Sequence, residues 1–109
     1  LTGCNRRRPM PQLIPTKLFL KDLEQIRSNA VLRKKAAKAL ALLESNPLHP
    51  GLHLERIIND QSAWSARIDG RYRLSFDPGG YLPAGNPDWS AALTLLRILD
   101  HDDLYKSPR

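Results

Sequence analysis

Apolar residues recur at helical spacing through the first half of the chain and at strand-like spacing through the second. Phe19, Leu23 and Ile26 share one helical face behind Thr16, a residue type that caps helix N-termini, which predicts a helix from residue 17 to about 28. Leu32, Ala36, Ala39, Leu40 and Leu43 follow at i, i+4, i+7, i+8 and i+11, which predicts a second helix from about 30 to 45. Ser28 and Asn29 separate the two and offer its cap, Pro47 stops it, and so short a link makes an antiparallel helical hairpin. Lys34, Lys35 and Lys38 lie on the side of the second helix away from the apolar stripe.

The rest of the chain reads as strands. "QLI" before Pro15 suits a short edge strand, and "LHLERI" a strand ending in the turn "INDQS". Two further strands are predicted at 63–68 and 72–77. "PGGYLPAGNPDWS" is a loop by its Pro and Gly content, long for a small domain, with Tyr81 and Trp89 as candidate exposed aromatics. Residues 91–99 form a nearly continuous apolar run, which predicts a central strand covered on both faces. "DHDDLYKSPR" reads as a polar ending. The expected fold class is α+β: an N-terminal helical hairpin packed on one face of a twisted antiparallel sheet of about four strands, with the other face concave and basic.

The hairpin "WSARIDGRYRLSF" admits two registers. A two-residue Asp69-Gly70 turn is the stronger local signal, but it mixes polar and apolar side chains on both faces. A three-residue loop pairs Trp64 with Phe76, Ala66 with Leu74 and Ile68 with Tyr72, all on one face. Because a one-residue slip would expose that whole set, burial favours the second register. Ser65, Arg67, Arg73 and Ser75 then share the other face, with Arg67 opposite Arg73. Like charges so placed destabilise by roughly 0.2–1 kcal/mol, so a carboxylate such as Glu55 or an anionic ligand should compensate.

Composition narrows the class. With 109 residues the chain suits one domain, here 13–109, behind an irregular basic arm at 1–12 that contains "RRRP". The net charge is +6, and it is uneven: ten Lys/Arg against two Asp/Glu up to Lys38, seven against nine beyond it. A basic first half suits a polyanion or an acidic protein partner. Cys4 is the single cysteine, so no disulfide forms within the chain and a reducing, cytoplasmic setting is expected. "LTGC" resembles a lipoprotein cleavage box without the charged and apolar segments such a box follows. No run reaches membrane-span length, and His49 and His53 match no metal-ligand spacing, reading instead as turn and strand-end residues.

Four blocks, "PTKLFLKDLEQI", "NPLHPGLHLERI", "WSARIDGRYRLSF" and "HDDLY", in this order and at these spacings, resemble the RelE/ParE toxin superfamily over about residues 15–105. The resemblance implies the toxin of a bacterial type II toxin–antitoxin pair: a cytoplasmic, ribosome-dependent mRNA endonuclease that needs no cofactor and forms a hetero-oligomer with its antitoxin. It implies Arg73 at the scissile phosphate, His101 as general acid, Tyr105 orienting the substrate and Glu55 as base. Arg67, Arg71, Arg56, Lys34, Lys35 and Lys38 would bind RNA. Two features depart from the family pattern: Ser65 stands where well-known members carry lysine, and "HDDLY" is a residue shorter than many versions. The alternative is a ParE-like protein that acts on gyrase, or a decayed toxin that only binds an antitoxin.

Overall fold

The computed structural model describes residues 12–109 apart from positions 59 and 61, so the basic arm lies outside the described residues save for Gln12. Strand β1 (Leu13–Pro15) leads into helix α1 (Lys17–Gln25), where the Thr16 side chain accepts the Phe19 amide as expected. Helix α1 stops three residues earlier than periodicity suggests. Residues 26–28 form a turn, because Asn29 leaves the helix and its side chain caps α2 (Ala30–Ser45) through the Leu32 amide. Phe19 and Ile26 of α1 and Leu32, Ala36, Ala39 and Leu43 of α2 are buried against the sheet.

A 3-10 turn (Pro50–Leu52) precedes β2 (Glu55–Arg56), β3 (Trp64–Arg67), β4 (Tyr72–Pro78) and β5 (Leu93–Asp100). The sheet order is β1-β5-β4-β3-β2. It has five strands and is mixed, not four and purely antiparallel, because β1 pairs in parallel with β5 along Leu13↔Leu93, Ile14↔Thr94 and Pro15↔Leu95. Proline at the end of β1 suits an edge strand, since it has no amide to give. "LHLERI" supplies only two paired residues: His53 sits at φ +44, which breaks the extended backbone before Glu55.

The three-residue hairpin loop is observed, with Trp64↔Phe76, Ala66↔Leu74 and Arg67↔Arg73. The helix-facing core contains Phe19, Leu43, Leu52, Leu74, Phe76 and Leu93, all fully buried. Burial of each such side chain contributes about 1.5–3 kcal/mol. Successive residues of β5 point to opposite faces, so Leu95 joins this core while Leu96 joins a second cluster with Ile57, Ala63 and Leu104, and a β-bulge at Ser75/Phe76 shifts the register so that Ile98 joins the same core as Leu95. That is how the apolar run comes to be covered on both faces.

The second cluster exists because the polar ending is a helix. Helix α3 (His101–Lys106) is capped by the Asp100 side chain, carries Asp102 and Asp103 in its first turn, and buries Leu104 on the sheet. The sheet face expected to be open and concave is therefore roofed at its centre, and Ser65 and Ser75 are buried beneath the roof. The loop after β4 is ordered by a Tyr81↔Pro87 bridge. Trp89 is half-buried, 6.1 Å from Phe76 between ring centroids, whereas Tyr81 is exposed.

Candidate functional site

The β3–β4 hairpin is held by Asp69, whose Oδ1 accepts the amides of Arg71 (2.8 Å) and Tyr72 (2.6 Å). Partial burial pushes its carboxyl pKa up, but these amides and the charges of Lys35 and Arg73 outweigh that and hold it below the usual value. The loop sets Arg67 opposite Arg73. Arg73 Nη1 donates to the carbonyls of Asp69 (2.7 Å) and Tyr72 (3.2 Å), so backbone oxygens accept part of its charge. Glu55 does not supply the expected counter-charge: neither it nor Arg67 has an ion pair among the described residues. Arg67 is half-buried, and among the described residues no carboxylate pairs with its guanidinium.

Helix α3 brings the remaining candidates to this face. Arg71 does not extend toward solvent alone; its Nε donates to Asp100 at 2.5 Å, which holds the Asp100 pKa below the usual range. The His101 amide donates to the Arg71 carbonyl at 2.8 Å, fixing the start of α3 beside the end of β4. The His101 ring stacks on Tyr105 with centroids 4.5 Å apart and planes at 24°, and its Nδ1 lies 3.3 Å from Asp102 Oδ1. Tyr105 Oη lies 3.0 Å from Ser65 Oγ, and Ser65 pairs across the ladder with Glu55. Partners directly opposite share a face, so Glu55 adjoins Ser65 and Tyr105, Arg67 faces Arg73 further along the same ladder, and the stacked His101 and Tyr105 rings lie on α3 beside them.

The other basic candidates lie apart. Arg56 stacks over Trp64 (5.4 Å) and Tyr81 (5.8 Å) near the sheet edge. Lys34 is exposed on α2, while Lys35 and Lys38 line a cleft toward Arg67. His49 caps the 3-10 turn through the Gly51 amide, so the turn role expected of it is its role here. Among the described residues, no three His, Cys, Asp or Glu side chains are grouped to hold a metal ion.

Three features beneath the site have weak sequence signals. Asp22 is buried in α1 and receives Arg97 Nε (2.7 Å), Arg97 Nη2 (3.1 Å) and the Ile98 amide (3.0 Å). An acid within the apolar face formed by Phe19, Leu23 and Ile26, and an arginine interrupting the final apolar run, were the available hints. Ser65 supports Tyr105, which only its place on the Arg67 face suggests. Ser75 Oγ donates to the Pro108 carbonyl at 2.6 Å, and Arg109 binds Asp60, Ser62 and Asp77, fastening the segment after α3 across the sheet.

The fold is shared with solved bacterial toxins. A YoeB/ParE toxin from Agrobacterium tumefaciens superposes with a TM-score of 0.62 at 20% identity, covering 83% of this chain and 98% of that one. YafQ from E. coli strain BL21(DE3) gives 0.66 at 14% identity, over 86% and 97% of the two chains. A chain of the E. coli DinJ–YafQ toxin–antitoxin complex gives 0.63 at 14%, over 87% and 97%. No family model matches the chain, and no curated protein matches its sequence. At these identities the likeness establishes the RelE-like toxin fold, which bears out the resemblance at that level.

Proposed function

We propose that this protein is the toxin of a type II toxin–antitoxin pair and cleaves mRNA on the ribosome. The reading is supported above all by the grouping of Arg67, Arg73, His101 and Tyr105 on the sheet face beside α3, in a fold shared with toxins. In the proposed reaction the 2′-hydroxyl attacks the adjacent phosphorus, forming the O2′–P bond and breaking the P–O5′ bond. Glu55 accepts the 2′ proton, and protonated His101 gives a proton to the departing O5′. Arg73, through the guanidinium nitrogens not bound to its hairpin, and Arg67 stabilise charge on the phosphoryl oxygens. Tyr105, held by Ser65 and stacked on His101, positions the acid. The residues supply every proton and charge the step requires.

An antitoxin is the proposed partner. Leu18 and Leu20 are exposed on α1, and a groove of about 490 Å³ between the helices is lined by Leu20, Leu23, Ala37 and Leu40. That apolar surface on an otherwise basic half suits an amphipathic, acidic segment. Leu42 of α2 is half-buried and lies outside this groove. Among the described residues no helix is long and apolar enough to cross a membrane, and the proposed setting is the cytoplasm.

A second reading, an antitoxin-binding homologue that does not cleave, is favoured by one observation: Ser65, opposite Glu55 on the ladder, is buried and bonded to Tyr105 where well-known members carry lysine. Primer extension on cellular mRNA after induction separates the two. Cuts at codons in translated regions are expected. Intact mRNA with growth arrest and inhibited gyrase supercoiling would favour a ParE-like action, and intact mRNA with normal growth the non-cleaving homologue.

A further inference from the structure

Lys35 and Lys38 lie one turn apart on α2 and face a cleft of about 250 Å³ whose other walls are the 3-10 turn and the end of β3. His49 and Arg67 complete its polar lining, Ala39, Leu42 and Leu52 form its apolar floor, and no carboxylate lines it. Asp69, whose carboxylate accepts the hairpin amides, interacts with Lys35 through its charge. Three cationic side chains therefore line one small concavity that holds no carboxylate of its own, with the Asp69 charge acting on Lys35 from the hairpin outside it.

The histidine adds direction. His49 Nδ1 accepts the Gly51 amide at 3.0 Å, so in the neutral ring Nδ1 is the bare nitrogen and the proton sits on Nε2. Nε2 is then a donor only. The ring lies so close over the turn that a Cβ at Gly51 would meet Nδ1 at 3.0 Å and Cε1 at 3.1 Å; glycine is what permits this orientation. Ring, lysines and guanidinium are all donors, which suits an acceptor-only tetrahedral anion.

We infer that this cleft binds a backbone phosphate of single-stranded RNA, separate from the phosphate proposed to react at Arg73. Arg67 links the two positions: it is opposite Arg73 across the ladder and also lines the cleft. The chain of phosphates would run from α3 across β3 to α2, which extends the proposed RNA-directed function and rests on it. The observations favour RNA over an acidic peptide because the cleft is small and its donors converge, whereas side-chain carboxylates on a peptide are spaced for an extended groove.

The test is fluorescence anisotropy with a ten-nucleotide single-stranded RNA across a salt series, using the full chain. Lys35→Ala/Lys38→Ala removes two exposed charges and should weaken binding about tenfold or more at low salt. The slope of log affinity against log salt should shallow by roughly 0.7 for each phosphate that the variant no longer neutralises. Gly51→Ala alters no charge but displaces the His49 ring, and should weaken binding several-fold with an unchanged thermal midpoint. Inorganic phosphate should shift the His49 ring signals in NMR, and the RNA should compete with it. RNA affinity equal to the parent in both variants overturns the inference. Phosphate binding that RNA does not displace, or a loss confined to a polyglutamate probe, also overturns it. None of these measurements needs cleavage, so an inactive Arg73→Ala protein that still binds RNA through the cleft would separate this inference from the proposed reaction.

Discussion

Tyr105 Oη lies 3.0 Å from Ser65 Oγ, 40 positions apart in sequence, and joins α3 to strand β3. Ser65 is buried, so its hydroxyl depends on partners within the protein rather than on water. Replacing either hydroxyl should cost about 1 kcal/mol, and the Ser65→Ala/Tyr105→Phe cycle should show a coupling of similar size. Urea unfolding of the four proteins measures both. Additive losses would mean that the two side chains act independently.

Arg73 and His101 carry the central chemical expectation. Arg73→Ala should lower cleavage by about a hundredfold or more, as loss of a charge-stabilising donor does. His101→Ala should lower it by roughly a hundred- to ten-thousandfold, as for a general acid. Both proteins should stay folded, because among the described residues Arg73 bonds only to its own hairpin carbonyls and His101 is exposed. Single-turnover cleavage on programmed ribosomes, with circular dichroism as a folding control, reads the outcome; undiminished cleavage would place the chemistry elsewhere.

Asp22 and Arg97 should behave as a unit. The carboxylate side chain is 4% exposed and the arginine 20%, so Asp22→Ala leaves a largely buried charge and an unpartnered Ile98 amide. The expected destabilisation is about 3–5 kcal/mol. Asp22→Leu combined with Arg97→Met should recover much of it, because an apolar pair needs no partner. A double variant as unstable as Asp22→Ala alone would show that the Ile98 amide, rather than the unpaired arginine, dominates.

Stability should fall on the acid side. Hydrogen bonds from Arg109 hold Asp60 below its ordinary pKa, Arg71 does so for Asp100, and the hairpin amides outweigh burial at Asp69. Carboxylates with depressed pKa values bind fewer protons in the folded state than in the unfolded one. Their contribution is therefore complete above the unfolded pKa of about 4 and is lost as pH falls through the lower folded values. Urea midpoints from pH 7 to 2 should be flat at first and then decline, and Arg71→Ala should make the decline shallower. An unchanged decline in that variant would mean that Asp100 contributes nothing to it.

The sequence by itself determined the two long helices, their caps at Thr16 and Asn29, and the hairpin register. Each is written in local periodicity or in a burial pattern that a one-residue slip would destroy. It also placed Arg67 opposite Arg73, because the register carries the polar residues along with the apolar ones. Only the tertiary structure decided the rest. Helix α3 has one buried apolar side chain, Leu104, too few to show a period, and it forms because the sheet offers that side chain a site. The parallel pairing of β1 joins residues 80 positions apart and has no local signature. The counter-charges were decided in the same way: Arg73 turned to backbone carbonyls, Arg71 to Asp100, and Arg97 to a buried acid on a distant helix. A charged side chain takes whichever acceptor folding brings within reach, and spacing along the chain does not record that distance.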